Sequence, residues 1–209
     1  MSSKQPEEAT PTPVLGNFII SITGHRPGDL RSLDGKPLTL EEPIADLLDR
    51  AAKRAQDGGY SGVHVITGGA LGTDQAVAAA VYDLGARGFT PGMHKGIAFT
   101  YEVVLPFPIE VMAKRWRQAD RERLELLCQC ATEVVGPVSP TFAFWAYHQR
   151  NQLMVQRSMI VIAFWSGKAS GGTFACIQYA LKKAKPPRPV YNALMAFAPV
   201  RLPEPPPTA

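Results

Sequence analysis

Charge is what this chain has little of. Only 19% of its 209 residues are Asp, Glu, Lys or Arg, against roughly 25% in an average soluble protein. Lys and Arg number 22 and Asp and Glu 18, a formal balance of +4. A dedicated nucleic-acid binder gathers a basic stripe or basic tails. The densest basic group here, Lys114, Arg115, Arg117, Arg121 and Arg123, is interrupted by Asp120, Glu122 and Glu125. That pattern reads as a solvated helix face, so nucleic acid is not expected as a partner. Cysteine is scarce too. Cys128, Cys130 and Cys176 cannot all pair, and no His or Cys stands at zinc spacing from them. Reduced thiols and no metal are expected. No apolar run reaches membrane-spanning length, and the first residues lack a signal-peptide pattern. A cytoplasmic protein without a membrane partner follows as the expectation.

Hydrophobic residues make up 45% of the chain, alongside 18 Gly and 19 Pro. That is enough apolar surface for one packed domain at this length. The prolines gather at the ends, which predicts a flexible leader over 1–17, a domain over 18–195 and a flexible tail over 196–209. Between them, short β-rich runs alternate with helical periodicity. Strands are expected at 18–23, 63–67, 101–105, 132–135, 159–165 and 190–194. Helices are expected at 39–57, capped by Thr39, and at 74–84, 116–130, 148–157 and 173–184. Strand and helix in turn predict a single α/β domain: a Rossmann-like, doubly wound, mostly parallel sheet with helices on both faces.

In such sheets ligands bind outside the carboxyl ends of the strands, and glycine and polar residues gather there. The segments are Thr23-Gly24-His25-Arg26, Thr67-Gly68-Gly69-Ala70-Leu71-Gly72-Thr73-Asp74, and Gly167-Lys168-Ala169-Ser170-Gly171-Gly172-Thr173. The last two run into helices, whose N-termini offer unpaired N–H groups and a positive dipole end to a phosphate. Neither is a P-loop or a dinucleotide GxGxxG. Asp74 reads equally as a helix-start acid or a ribose contact, and it is the one loop carboxylate to nominate for catalysis. Arg150-Asn151 is an anion clamp or a surface pair. His64 reads as a packed histidine. Trp145 and Tyr147 either stack a base or cover a core edge.

The runs ITGHRP, ITGGALGTDQ, RNQLMVQRS and VIAFWSGKASGGTFACIQYA, in that order, resemble the SLOG superfamily of Rossmann-like nucleotide-binding proteins. The branch they are most similar to is that of small phage and prophage proteins related to YpsA and YoqJ. The resemblance implies a pocket lined by Gly24, His25, Gly68, Gly69, Gly72, Asp74, Arg150, Asn151, Gly171, Gly172 and Thr173. It implies no cofactor beyond a nucleotide-derived ligand. Two acidic positions usual in that branch read Gln156 and Met159 here. The glutamate that the phosphoribohydrolase branch places after its Gly-Thr is missing: Phe174, Ala175, Cys176, Ile177 and Gln178 follow Thr173. A glycosidic hydrolase needs such a carboxylate, so the balance is against an enzyme.

The expected function is therefore binding of a nucleotide, or an NAD- or ADP-ribose-like molecule, as a sensor or sequestering module. Cleavage of an N-glycosidic bond through Asp74 is the first alternative. Single-stranded DNA handling in the manner of the related protein DprA is the second. Homo-oligomerisation stays open.

Overall fold

The computed structural model describes residues 15–26, 28, 39–86 and 96–202. The first strand, β1 (Leu15–Gly24), alternates cleanly: Phe18, Ile20 and Ile22 enter the main core, while Ser21 faces the opposite layer. This is the period-2 pattern of a strand covered on both sides. The other strands are β2 (Tyr60–Thr67), β3 (Ala98–Val104), β4 (Glu133–Val135), β5 (Ile160–Phe164), β6 (Val190–Asn192) and β7 (Ala198–Pro199). They form one seven-stranded sheet in the order β4-β3-β2-β1-β5-β6-β7. Every pairing is parallel except β6 with β7.

Among the described residues six α-helices cover the sheet: α1 (Glu41–Asp57), α2 (Thr73–Ala86), the single turn α3 (Ile109–Met112), α4 (Gln118–Cys130), α5 (Phe144–Arg157) and α6 (Gly171–Gln178). A π-helical turn, Tyr179–Lys183, extends α6. Leu47, Ala51 and Ala55 of α1, Val77 and Val81 of α2, and Leu124 of α4 pack with β1 and β2 in the large core. On the opposite layer Val155 of α5 packs with Cys176 and Ile177 of α6 and Val161 of β5. Met154 of α5 meets Ile66 and Val104. Helices thus lie on both faces, and the strand order reverses between β1 and β5. This is the doubly wound, Rossmann-like α/β arrangement.

Several boundaries differ from the expectation, each for a physical reason. Thr39 does not cap α1, whose N-cap is Leu40 with no side-chain hydrogen bond. Strand β1 starts inside the expected leader, because Leu15 and Asn17 find ladder partners in Tyr60 and Gly62. The expected tail contributes β7, held by the Val200 amide on the Val190 carbonyl. Helix α5 begins at Phe144 rather than His148, so the aromatic run is its first turn and not a loop. The remainder of the leader (1–14), the segment 29–38, the glycines Gly88 and Gly92, and the tail 203–209 lie outside the described residues.

Candidate functional site

Three loops leave the carboxyl ends of β1, β2 and β5, and the structure separates them by what their polar groups already do. Asp74, in the first turn of α2, is 5% exposed. Its Oδ2 accepts the Gly68 amide at 3.2 Å, the Ala70 amide at 3.3 Å and the Arg150 Nη1 at 3.4 Å. The Gln75 side chain donates to the Gly69 carbonyl at 3.3 Å. The loop before α2 therefore spends its own amides on its own helix. Burial raises the Asp74 carboxyl above its ordinary range, and Arg150 and the two amides pull the other way.

Arg150 reaches this place through a gap that Gly68 leaves. A Cβ at Gly68 would fall on the Arg150 guanidinium, so glycine here makes room for an arginine and not for a phosphate. Arg150 is 8% exposed, and its Nε has no hydrogen-bond partner, nor has the neighbouring Thr67 hydroxyl. The expected anion clamp is thus a buried arginine neutralised by Asp74. Asn151 donates to the Gly172 carbonyl at 3.2 Å and ties α5 to the start of α6.

The loop after β1 is the second fixed point. A Cβ at Gly24 would meet the Thr73 side chain, and the Thr73 hydroxyl donates to the His25 carbonyl at 3.2 Å. His25 is buried, and its Nε2 takes the Ser166 amide at 3.1 Å with the Ser166 hydroxyl at 3.0 Å. Since an amide can only donate, Nε2 is the accepting nitrogen and the neutral ring carries its proton on Nδ1. His25 thereby joins the ends of β1 and β5 at the point where strand order reverses. Thr23 hydrogen-bonds the Cys176 thiol, which burial pushes up to about 11. Thr23, Gly24, His25, Thr73, Asp74, Arg150 and Asn151 are brought together, but as the internal bracing of the edge.

What remains open to solvent is different. Gly171 and Gly172 at the start of α6 are exposed, as are Ser166, Lys168, Ser170 and Arg26, whereas Thr173 is buried. Lys114, Arg115 and Arg117 are exposed between α3 and α4 on the same side of the sheet. They precede α4 rather than ride on it, so the basic cluster expected as one helix face splits in two. Within α4, Arg121 is paired with Glu125 at 2.8 Å. No sequence signal marked Asn192, which is buried and brackets Trp165 by accepting its amide at 3.3 Å and donating to its carbonyl at 2.8 Å. Among the described residues, no group of three His, Cys, Asp or Glu stands close enough to hold a metal. No helix there is long and apolar enough to cross a membrane.

No family model matches the chain, and no curated protein matches it. Its fold is similar to that of DNA processing protein A (DprA) from Streptococcus pneumoniae, at a TM-score of 0.51 and 13% identity, covering 84% of this chain and 50% of that one. A structure of the same protein from Helicobacter pylori, described for its single-stranded DNA binding mode, is similar at a TM-score of 0.49 and 13% identity, covering 84% and 64%. The chain thus spans between half and just under two thirds of the length of these structures. Two expectations are corrected. A nucleotide-derived small ligand was expected as the partner and nucleic acid was set aside, yet the Streptococcus pneumoniae structure similar in fold is of a DNA-processing protein. The geometry gives a physical reason at the second loop: the Gly68 and Ala70 amides and Arg150, meant for the small ligand, are engaged with Asp74.

Proposed function

We propose that this protein handles single-stranded DNA along the carboxyl edge of its sheet. The observation that carries the reading is the spread of the exposed cations. Lys168 follows β5, Arg26 follows β1, and Lys114, Arg115 and Arg117 follow β3. In the strand order these positions lie three spacings apart, roughly 14 Å at about 4.8 Å per strand. Cations so distributed do not converge on one phosphate, but they suit a backbone carrying several. The open N-terminus of α6, with Gly171 and Gly172 exposed, adds peptide dipoles of the same sign at the β5 end. The likeness in fold to DNA processing protein A supports the same class of partner. So does the motif resemblance to the SLOG superfamily, to which we assign the chain, since DprA is one of its branches. An intracellular location follows from that assignment.

Asp74 has no role as a catalytic acid in this reading, because its Oδ2 braces the loop. The test is fluorescence anisotropy with a labelled oligodeoxythymidylate at low salt. The labelled strand should bind, be displaced by unlabelled single strands, and resist displacement by a nucleoside monophosphate at the same phosphate concentration. No anisotropy change at low salt, or equal displacement by the monophosphate, would overturn the reading.

A further inference from the structure

A group of aromatic rings on this edge is exposed far beyond what the fold requires. Phe107, fully buried at the end of β3, forms its floor. The Phe142 ring lies 5.4 Å from it and the Tyr147 ring 5.1 Å, edge-on. Phe144 stands against Phe142 at 5.0 Å. Yet Phe142 is 56%, Phe144 77% and Trp145 55% exposed. Three large rings left in water forgo the burial that would stabilise the fold, and Phe142 and Phe144 are held against ring neighbours. An aromatic set held in place from below is also what a stacking platform requires.

The charge on the segment that follows Phe107 narrows the partner. The chain leaving Phe107 runs through α3 to Lys114, Arg115 and Arg117, and Arg117 is the N-cap of α4. Cations at a helix N-terminus oppose the helix dipole, so helix stability does not account for them. None of the three makes an ion pair among the described residues. Glu110 is exposed nearby on α3 and offsets part of their charge. A second copy of this chain docking symmetrically would bring its own cations close to these, a repulsive arrangement. A polyanion carrying flat apolar groups satisfies both halves of the surface.

We propose that Phe142, Phe144 and Trp145 stack the unpaired bases of a single strand whose phosphates lie on Lys114, Arg115 and Arg117. This inference rests on the DNA-handling reading above and adds where the bases go. Base–aromatic stacking is sequence-tolerant because every base has a π-face. The surface therefore takes single strands without a sequence preference, and it rejects duplex, whose bases are already stacked.

Two probes of equal length separate the contributions: an oligodeoxythymidylate and an abasic oligomer with the same phosphodiester backbone. The full-length protein should bind the thymidylate about tenfold or more tightly than the abasic strand. The double variant Phe144→Ala/Trp145→Ala should bind the thymidylate about as weakly as the abasic strand, with abasic binding and salt dependence unchanged. The pair Phe144→Trp/Trp145→Phe should restore the difference. Thermal melting checks that these exposed substitutions leave the fold intact. Equal affinity of the wild type for both probes overturns the stacking surface while leaving the DNA-handling edge standing. Binding of neither probe overturns both. A dimeric wild type that becomes monomeric in the double variant identifies the rings as a self-interface and overturns the inference as well.

Discussion

At the scale of single residues, Asp74, Arg150 and Gly68 form one device. A carboxylate this deeply buried is tolerable only with its donors in place, and the guanidinium reaches it only because Gly68 has no side chain. Gly68→Ala should therefore displace Arg150 and destabilise the protein by about 1–3 kcal/mol, the usual cost of overpacking, read by denaturant unfolding. Arg150→Met leaves the Asp74 charge uncompensated and should cost about 3–5 kcal/mol at neutral pH. The pH dependence follows from direction. The Asp74 carboxyl is held above its ordinary value near 3.8, so the folded state binds the proton more tightly than the unfolded chain. Its share of stability is complete below that ordinary value and declines as pH rises toward the folded one. Relative to Asp74→Asn, which removes the titration, the wild type should lose stability across that window. Arg150→Met should extend the loss to higher pH. A difference in melting temperature that stays constant with pH would contradict this placement. The sequence motifs marked all three residues, and the family resemblance assigned them to a ligand pocket. The gap at Gly68 is filled by an arginine 76 positions away from Asp74, and no local pattern carries that distance.

At the scale of elements, α5 links the parts of the edge. Its first turn carries the exposed rings, its middle supplies Arg150 and Asn151, and its last turn ends on Arg157. Arg157 donates to both oxygens of Glu102 at 2.9 and 2.7 Å and to Glu133 at 2.8 Å. On the other side of Glu102, His64 lies at 3.3 Å and is itself 2.8 Å from the Thr100 hydroxyl. Burial alone would raise the Glu102 carboxyl, but hydrogen bonds from His64 and Arg157 outweigh it and hold it below the usual value. Its contribution to stability is present above the ordinary carboxylate range and is lost as pH falls through its lowered value. Glu102→Gln should then cost about 2 kcal/mol at neutral pH, discounted for the partly exposed Arg157. It should also flatten the acid limb of the stability curve; an unchanged acid limb would contradict the network. His64 was expected as a packed histidine, and its partners come from the neighbouring strand in register. The start of α5 was misplaced because Pro140 and the aromatics after it read as loop. That turn packs its Tyr147 ring, with Phe142 before it, on Phe107, which is fully buried. Phe107→Ala should cost about 3–5 kcal/mol and disorder the rings above it, visible as a loss of aromatic circular dichroism.

At the scale of the whole molecule, the alternation of apolar strands with helical periodicity was enough to specify the doubly wound sheet. Strand order, however, follows from which helix covers which face. The function was read less well, because a formal charge of +4 averages over space. Arg50 pairs with Asp46, Lys53 with Asp57, Arg121 with Glu125 and Arg157 with Glu133. Those pairs neutralise four cations on the helices and leave the net charge as it was. Arg26, Lys168, Lys114, Arg115 and Arg117 are exposed on the carboxyl edge, and Lys182, Lys183 and Lys185 are exposed before β6 at the other end of the sheet. Net charge cannot report such a division, and only the fold brings Arg26, Lys168 and the Lys114–Arg117 segment to one side. The most direct measurement is the salt dependence of oligodeoxythymidylate affinity for the wild type and for Lys114→Ala/Arg115→Ala/Arg117→Ala. With three to five phosphates neutralised, the wild-type plot of log K against log salt should slope at about −2 to −3.5. The triple variant should bind more weakly, with a slope shallower by about 2. Absence of binding by the wild type at low salt, or identical slopes for the two proteins, would contradict the assignment of this edge to single-stranded DNA.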